Sequence, residues 1–164
     1  MSLAATSLYR RPVTSQGPWA GNRDIGRRLA TLANELDRRL THVAALRRDE
    51  LFHGAWTLTP NNRQSVGVTW IDFGDALQID TLGGDGGRWE LERTDEDIDF
   101  IVGVIEAAIA GRIVETFARG RSRVTVTLDD GTTHTETGAS APQGFLPLPL
   151  WTRWGEHRQY APYS

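Results

Sequence analysis

No cysteine occurs among the 164 residues. Disulfide stapling, thiolate chemistry and cysteine-based zinc sites are excluded by that fact alone, and the cytoplasm is the expected location. Lysine is absent as well, since all 18 basic residues are arginine; with abundant Ala, Gly, Thr and Val this fits the codon usage of a GC-rich bacterial genome. No apolar run approaches the ~20 residues needed to cross a bilayer. The stretch from Met1 to Leu8 lacks a basic leader followed by an apolar segment, so no secretory signal is expected. A hydrophobic fraction of 39% with 24% charged residues is that of one folded domain with a real core.

The formal net charge of −3 conceals a polarity along the chain. Residues 1–48 hold nine arginines against three acids, residues 49–110 three arginines against thirteen acids, and residues 111–164 six against five. An acidic middle of this kind creates a field that steers a basic partner. The alternative is internal: the arginine-rich first helix lies on the acidic part of the fold and neutralises it.

Periodicity assigns the elements. Residues 1–20 show no period and read as a flexible arm, with the domain proper spanning 21–164. Asn22 offers a helix N-cap, and Ile25, Leu29, Leu32, Leu36, Leu40 and Val43 form one apolar stripe, predicting a helix of roughly seven turns at 3.6 residues each with Gly54 as its terminator. Asp24 precedes Arg28, and Glu35 precedes Arg39, by four residues, the order favourable for intrahelical pairs. From Trp56 the period becomes two, predicting strands near 55–59, 64–73, 76–82 and 88–93 in an antiparallel meander. Thr94 to Asp97 resembles a capping box ahead of a second helix, whose apolar face is Ile98, Ile101, Val102, Ile105 and Ile109, closed by Gly111. Strands at 113–118, 123–128 and 132–137 follow, the last two joined at Asp130-Gly131. The tail from 139 to 164 is rich in proline and aromatics and is expected to run extended over a surface. The predicted fold is α+β, one twisted antiparallel sheet of about six to seven strands with two main helices packed on one face.

Several motifs invite chemistry. Asp72-Phe73-Gly74 spells the magnesium motif of kinases, but the lysine and glycine loop that must accompany it are missing. Gly83 to Gly87 lies between two strands, where a hairpin loop is expected; a phosphate cradle needs a following helix. Asp95, Glu96, Asp97 and Asp99 lack the alternating spacing of a calcium loop and suit a helix N-terminus instead. His42, His53, His134 and His157 show no metal spacing. The helix arginines lack the interleaved aromatics of a nucleic-acid site. No catalytic set, metal site or cofactor is expected from these residues, nor a nucleic-acid or membrane partner.

Four segments carry a resemblance: Gly87 to Leu91, Ala110 to Glu115, Ser122 to Gly131 and Leu148 to Trp151. Together they resemble small actinobacterial α+β proteins encoded beside polymorphic toxins and taken to be their immunity proteins. That resemblance implies a stoichiometric inhibitor that binds a toxin. The acidic middle supplies the expected contacts: Asp72, Asp75, Asp80, Asp85, Glu90 and Glu92. The alternative is a small-molecule binder or enzyme, with a pocket between sheet and helices lined by Trp70 and Trp89 and with His134 and Glu136 as its acid–base pair. A third option is a homodimer seam along the first helix, whose stripe has coiled-coil spacing.

Overall fold

A computed structural model describes residues 22–50, 54–141 and 149–164. The expected arm at 1–20 lies outside the described residues. In chain order the elements are α1 (Asn22–Leu40), β1 (Ala44–Arg48), β2 (Ala55–Pro60), β3 (Val68–Asp72), β4 (Ala76–Thr81), β5 (Arg88–Glu92), α2 (Asp95–Ile109), β6 (Ile113–Ala118), β7 (Arg121–Thr127), β8 (Thr133–Ala139), α3 (Trp151–Trp154) and β9 (Glu156–Gln159). The class is α+β as expected, but the single sheet is not: β1 to β5 form one antiparallel meander, sheet A, and a second antiparallel sheet, B, runs in the order β8-β7-β6-β9. Among the described residues the two main helices expected are accompanied by a short third, α3.

The first helix is shorter than its stripe. It ends at Leu40, where Thr41 Oγ1 donates back to the Asp37 carbonyl at 2.6 Å. The chain then turns into β1, which pairs with β2 so that Leu46 stands opposite Leu58. Val43 and Leu46 pack against the core from this segment as they would from a helix, so the apolar spacing could not separate the two conformations. Helix α2 agrees with its signals. Thr94 caps it, its hydroxyl accepting from the Asp97 amide, and Ile98, Ile101 and Ile105 are buried. Gly111 closes it at φ +71°, where a Cβ would also strike the Pro162 nitrogen at 2.6 Å.

Helix α2 touches strands of both sheets and α1. The core lies around it: Leu29, Ala33 and Leu36 from α1, Leu58, Val68, Trp70, Leu77 and Ile79 from sheet A, and Ile113, Val124 and Val126 from sheet B. What joins the sheets directly is the loop between β4 and β5. Gly86 N donates to Ser122 Oγ at 2.7 Å, and Gly84 N to Glu115 Oε1 at 2.9 Å. At Gly138 of β8 a Cβ would lie 1.6 Å from the Asp85 carbonyl oxygen, so only glycine admits this approach.

The tail does more than lie on a surface. Past the described gap it forms α3 and then β9, which pairs with β6. Tyr160 Oη donates to Glu115 Oε2 at 2.6 Å, and Tyr163 Oη to the Val66 carbonyl at 2.8 Å. Glu115 is fully buried, so one carboxylate ties the sheet A loop and the tail to sheet B. Such a group is tolerated only when its oxygens are hydrogen-bonded.

Two predictions follow from these ties. Glu115→Ala leaves the buried Tyr160 hydroxyl without an acceptor and removes that of the exposed Gly84, and should cost about 2 kcal/mol in urea unfolding, mostly from the one buried group; Glu115→Gln, which keeps shape and one acceptor, should cost much less. Burial raises the hydroxyl of Tyr160, with the Glu115 carboxylate adding to it, and burial alone raises that of Tyr163. Because both folded values exceed the unfolded ~10, this contribution is complete below about pH 10 and declines as pH rises beyond it. Tyr160→Phe and Tyr163→Phe should flatten the alkaline limb of stability against pH; an unchanged limb would show that neither hydroxyl is linked to folding.

Candidate functional site

Alternation along five strands gives sheet A one face toward the helices and one toward solvent. The solvent side carries two long cross-strand rows. Arg47, Thr57, Thr69, Asp80 and Arg88 occupy successive register positions, and beside them run Ala55, Ile71, Gln78 and Glu90. Glu92, opposite Ala76, begins a third. Thr57 and Thr69 share a hydroxyl hydrogen bond of 3.0 Å. Asp80 accepts from Gln78 Nε2 at 2.7 Å and from Arg88 Nε at 3.0 Å. Glu90 and Glu92 are exposed, and among the described residues no arginine pairs with either.

The six acids expected at a partner site therefore separate. Asp80, Glu90 and Glu92 share the outer face, and exposed Asp75 adjoins it in the β3–β4 turn, next to the Ala76–Glu92 pair. Asp85 sits at the opposite end, in the loop that contacts sheet B, where its carboxylate accepts from Ser140 Oγ at 3.1 Å. Asp72 shares a cross-strand row with Leu77, on the side facing the helices, and is held by Arg93: Nε donates to Oδ1 at 2.8 Å and a terminal nitrogen to Oδ2 at 2.6 Å. The Gly74 amide also donates to Oδ1. Burial pushes the Asp72 carboxyl up, but the hydrogen bonds from Arg93 and Gly74 outweigh it and leave the group below its ordinary range.

Asp72 also borders a cleft of about 340 Å³ between α1 and sheet A, with Gly26, Ala30, Asn34, Arg48 and Trp56 among its lining. The Arg48 guanidinium lies over the Trp56 ring, 5.3 Å from its centroid. The indoles expected to line a pocket lie elsewhere. Trp70 is wholly in the core, with its Nε1–H meeting no protein acceptor. Trp89 packs edge-on against Phe100 at 5.9 Å, and Phe100 against His134 at 4.8 Å. His134 and Glu136 occupy alternate positions of β8, on one face and opposite Val126 and Val124, and neither borders the cleft. Trp56 was visible in the sequence only as one indole among several. Arg48 gave no signal, because its segment reads as helix.

Part of the charge polarity is offset within the fold. Arg28 of α1 pairs with Asp95 and with Asp99 of α2, the latter at 3.2 Å, and Arg39 with Glu106 at 2.5 Å. The intrahelical Asp24–Arg28 and Glu35–Arg39 pairs are replaced by these contacts between helices; Asp24 instead lies 3.9 Å from Arg27. The acids at the start of α2 thus serve the capping of their helix and the docking of α1. Among the described residues no group of three His, Asp or Glu is arranged to hold a metal, and no helix is long and apolar enough to cross a membrane. The glycine run is a loop between strands, as expected.

No protein-family model, curated protein or solved structure matches the chain.

The Asp72–Arg93 pair yields a test that separates architecture from binding. With both side chains nearly buried, Asp72→Ala removes two charge-assisted hydrogen bonds with Arg93 and should cost roughly 2–3 kcal/mol. The folded carboxyl lies below the unfolded ~3.9, so its contribution is present above that value and is lost as pH falls through the folded one. Urea midpoints at neutral and acid pH should therefore converge in Asp72→Asn relative to the parent; an equal acid loss in both proteins would contradict the assignment.

Proposed function

We propose that the chain is a protein-binding module of the immunity type, which blocks a bacterial toxin by docking the outer face of sheet A against a basic surface. The observation that carries this reading is the position of Glu90 and Glu92 with Asp80 on one solvent-facing side of a rigid sheet, with Asp75 at its margin. Pairing with Arg88 offsets the charge of Asp80, so the field of this face comes chiefly from Glu90, Glu92 and Asp75. Fixed carboxylates on strands meet a basic cleft without reorganisation. They accelerate capture, and those that become closely paired deepen affinity. Thr57, Thr69, Ile71 and Gln78 between them supply hydroxyls, an amide and one apolar side chain for close contact. Asp72 contributes by fixing the end of the sheet, and Asp85 by holding the loop to sheet B.

The reading predicts a toxin domain encoded by a neighbouring gene, and the test is co-expression with it. Protection of growth is expected, with association measured by stopped flow. Glu90→Gln with Glu92→Gln should slow association by about tenfold at low salt and flatten its salt dependence, and Asp80→Asn should have the smaller effect. Unchanged kinetics would remove this face from the interface, and failure to protect would remove the function. The cleft beside Trp56 favours a second reading, a small-molecule binder, which a metabolic neighbouring gene would support instead.

A further inference from the structure

Strand β8 is a terminal strand of sheet B, and its free edge is specific in what it offers. Ser140 N donates to the Gly120 carbonyl and Leu128 N to the Thr132 carbonyl. With Val126 opposite His134 and Val124 opposite Glu136, the alternation of an antiparallel ladder makes the even-numbered residues of β8 those bonded to β7. The N–H and C=O groups of Thr133, Thr135, Thr137 and Ala139 therefore point away from the sheet. The edge has no proline and no arginine. Its contacts with sheet A, with β5 and with the loop at Gly138, form no ladder among the described residues.

His134 and Glu136 are the only charge-bearing side chains on this strand, and both face the side that packs on α2 and the sheet A loop. Inward-facing charge on an edge strand ordinarily obstructs pairing. Whether it does so depends on what stands opposite. A second β8 arriving antiparallel must pair odd-numbered residues with odd-numbered ones, because only these offer hydrogen bonds. Registers centred on Thr135, Glu136 and Thr137 each overlap at least five strand residues. The one centred on Glu136 sets two carboxylates against each other. The one centred on Thr137 puts Glu136 opposite Gly138 and leaves His134 without a counter-charge. The one centred on Thr135 sets Thr135 against Thr135 and Thr133 against Thr137, and places His134 of each copy opposite Glu136 of the other. That pair falls at the non-hydrogen-bonded sites, where cross-strand side chains come closest. The outward threonines meet as Thr125 and Thr135 already do within the sheet, at 3.2 Å between hydroxyls.

We propose that a second copy of this chain docks along β8 in the register centred on Thr135, forming a two-fold dimer with a continuous eight-stranded sheet B. The inward charges then act as a register lock, admitting this pairing and opposing the one with the longest overlap. The interface lies in sheet B and leaves the outer face of sheet A open in both copies, so it stands or falls independently of toxin binding.

Sedimentation velocity of the full chain over a concentration series should show a reversible monomer–dimer equilibrium. Thr135→Pro removes an N–H that faces the free edge and spares the β7 ladder, and should raise the dimer dissociation constant by about tenfold or more. His134→Glu sets two carboxylates opposite one another and should do the same, while the exchanged variant His134→Glu with Glu136→His restores the His–Glu pairing and should recover dimerisation. If Thr135→Pro fails to melt cooperatively, the single and exchanged charge variants decide alone. A chain that stays monomeric throughout overturns the proposal. So does a dimer untouched by Thr135→Pro in a folded variant, or an exchanged variant no better than His134→Glu.

Discussion

A single buried carboxylate holds the two sheets and the tail in their arrangement. Glu115 receives the Gly84 amide from the β4–β5 loop and the Tyr160 hydroxyl from beyond β9. The carboxyl group and the Tyr160 residue are buried by the fold, and both oxygens of Glu115 are satisfied only if all three segments are in place. The neighbouring contact of Gly86 with Ser122 repeats the principle with a neutral acceptor. Sheet B is thereby fixed to sheet A by polar bonds at one end, while α2 fills the space between them with aliphatic side chains.

Charge is arranged in two tiers. Arginines of α1 reach acids of α2, which fastens the helices to one another at the surface, where such pairs individually contribute little. The Asp72–Arg93 pair is nearly buried and more consequential, because its two charge-assisted hydrogen bonds are shielded from water. Among the acids outside these pairings, Glu90, Glu92 and Asp75 lie together at the outer face of sheet A. Part of the acidity counted along residues 49–110 is thus gathered on β5 and the turn before β4. This gives electrostatic recognition a defined footprint.

The free edges serve the molecule differently. The outer edge of sheet A at β1 carries Arg47 and Arg48, a charged guard against unwanted pairing. The edge at β8 carries threonines on one face and the His134–Glu136 alternation on the other. The first arrangement repels all strands alike. The second discriminates among registers, because a histidine and a glutamate spaced two residues apart are complementary to their own reversed copy.

Local periodicity in the sequence determined most of the elements: the capped helix behind Thr94, the meander from β2 to β5, the turn at Asp130-Gly131 and the strands from β6 to β8 each follow from spacing and turn residues that act within a few positions of one another. It also placed Glu90 and Glu92 on one side of their strand, because β alternation is strict. Tertiary structure decided whatever depends on contacts distant in the chain. Val43 and Leu46 could bury themselves from helix or strand, and only the presence of β2 alongside selected β1. The division into two sheets rests on Glu115, Ser122 and Gly138 meeting the loop at 84–86, none of which has a local signature. Pairing of Arg28 and Arg39 across to α2, in place of their own helix, was likewise set by where the two helices pack, since an arginine side chain finds its carboxylate through space and not along the sequence.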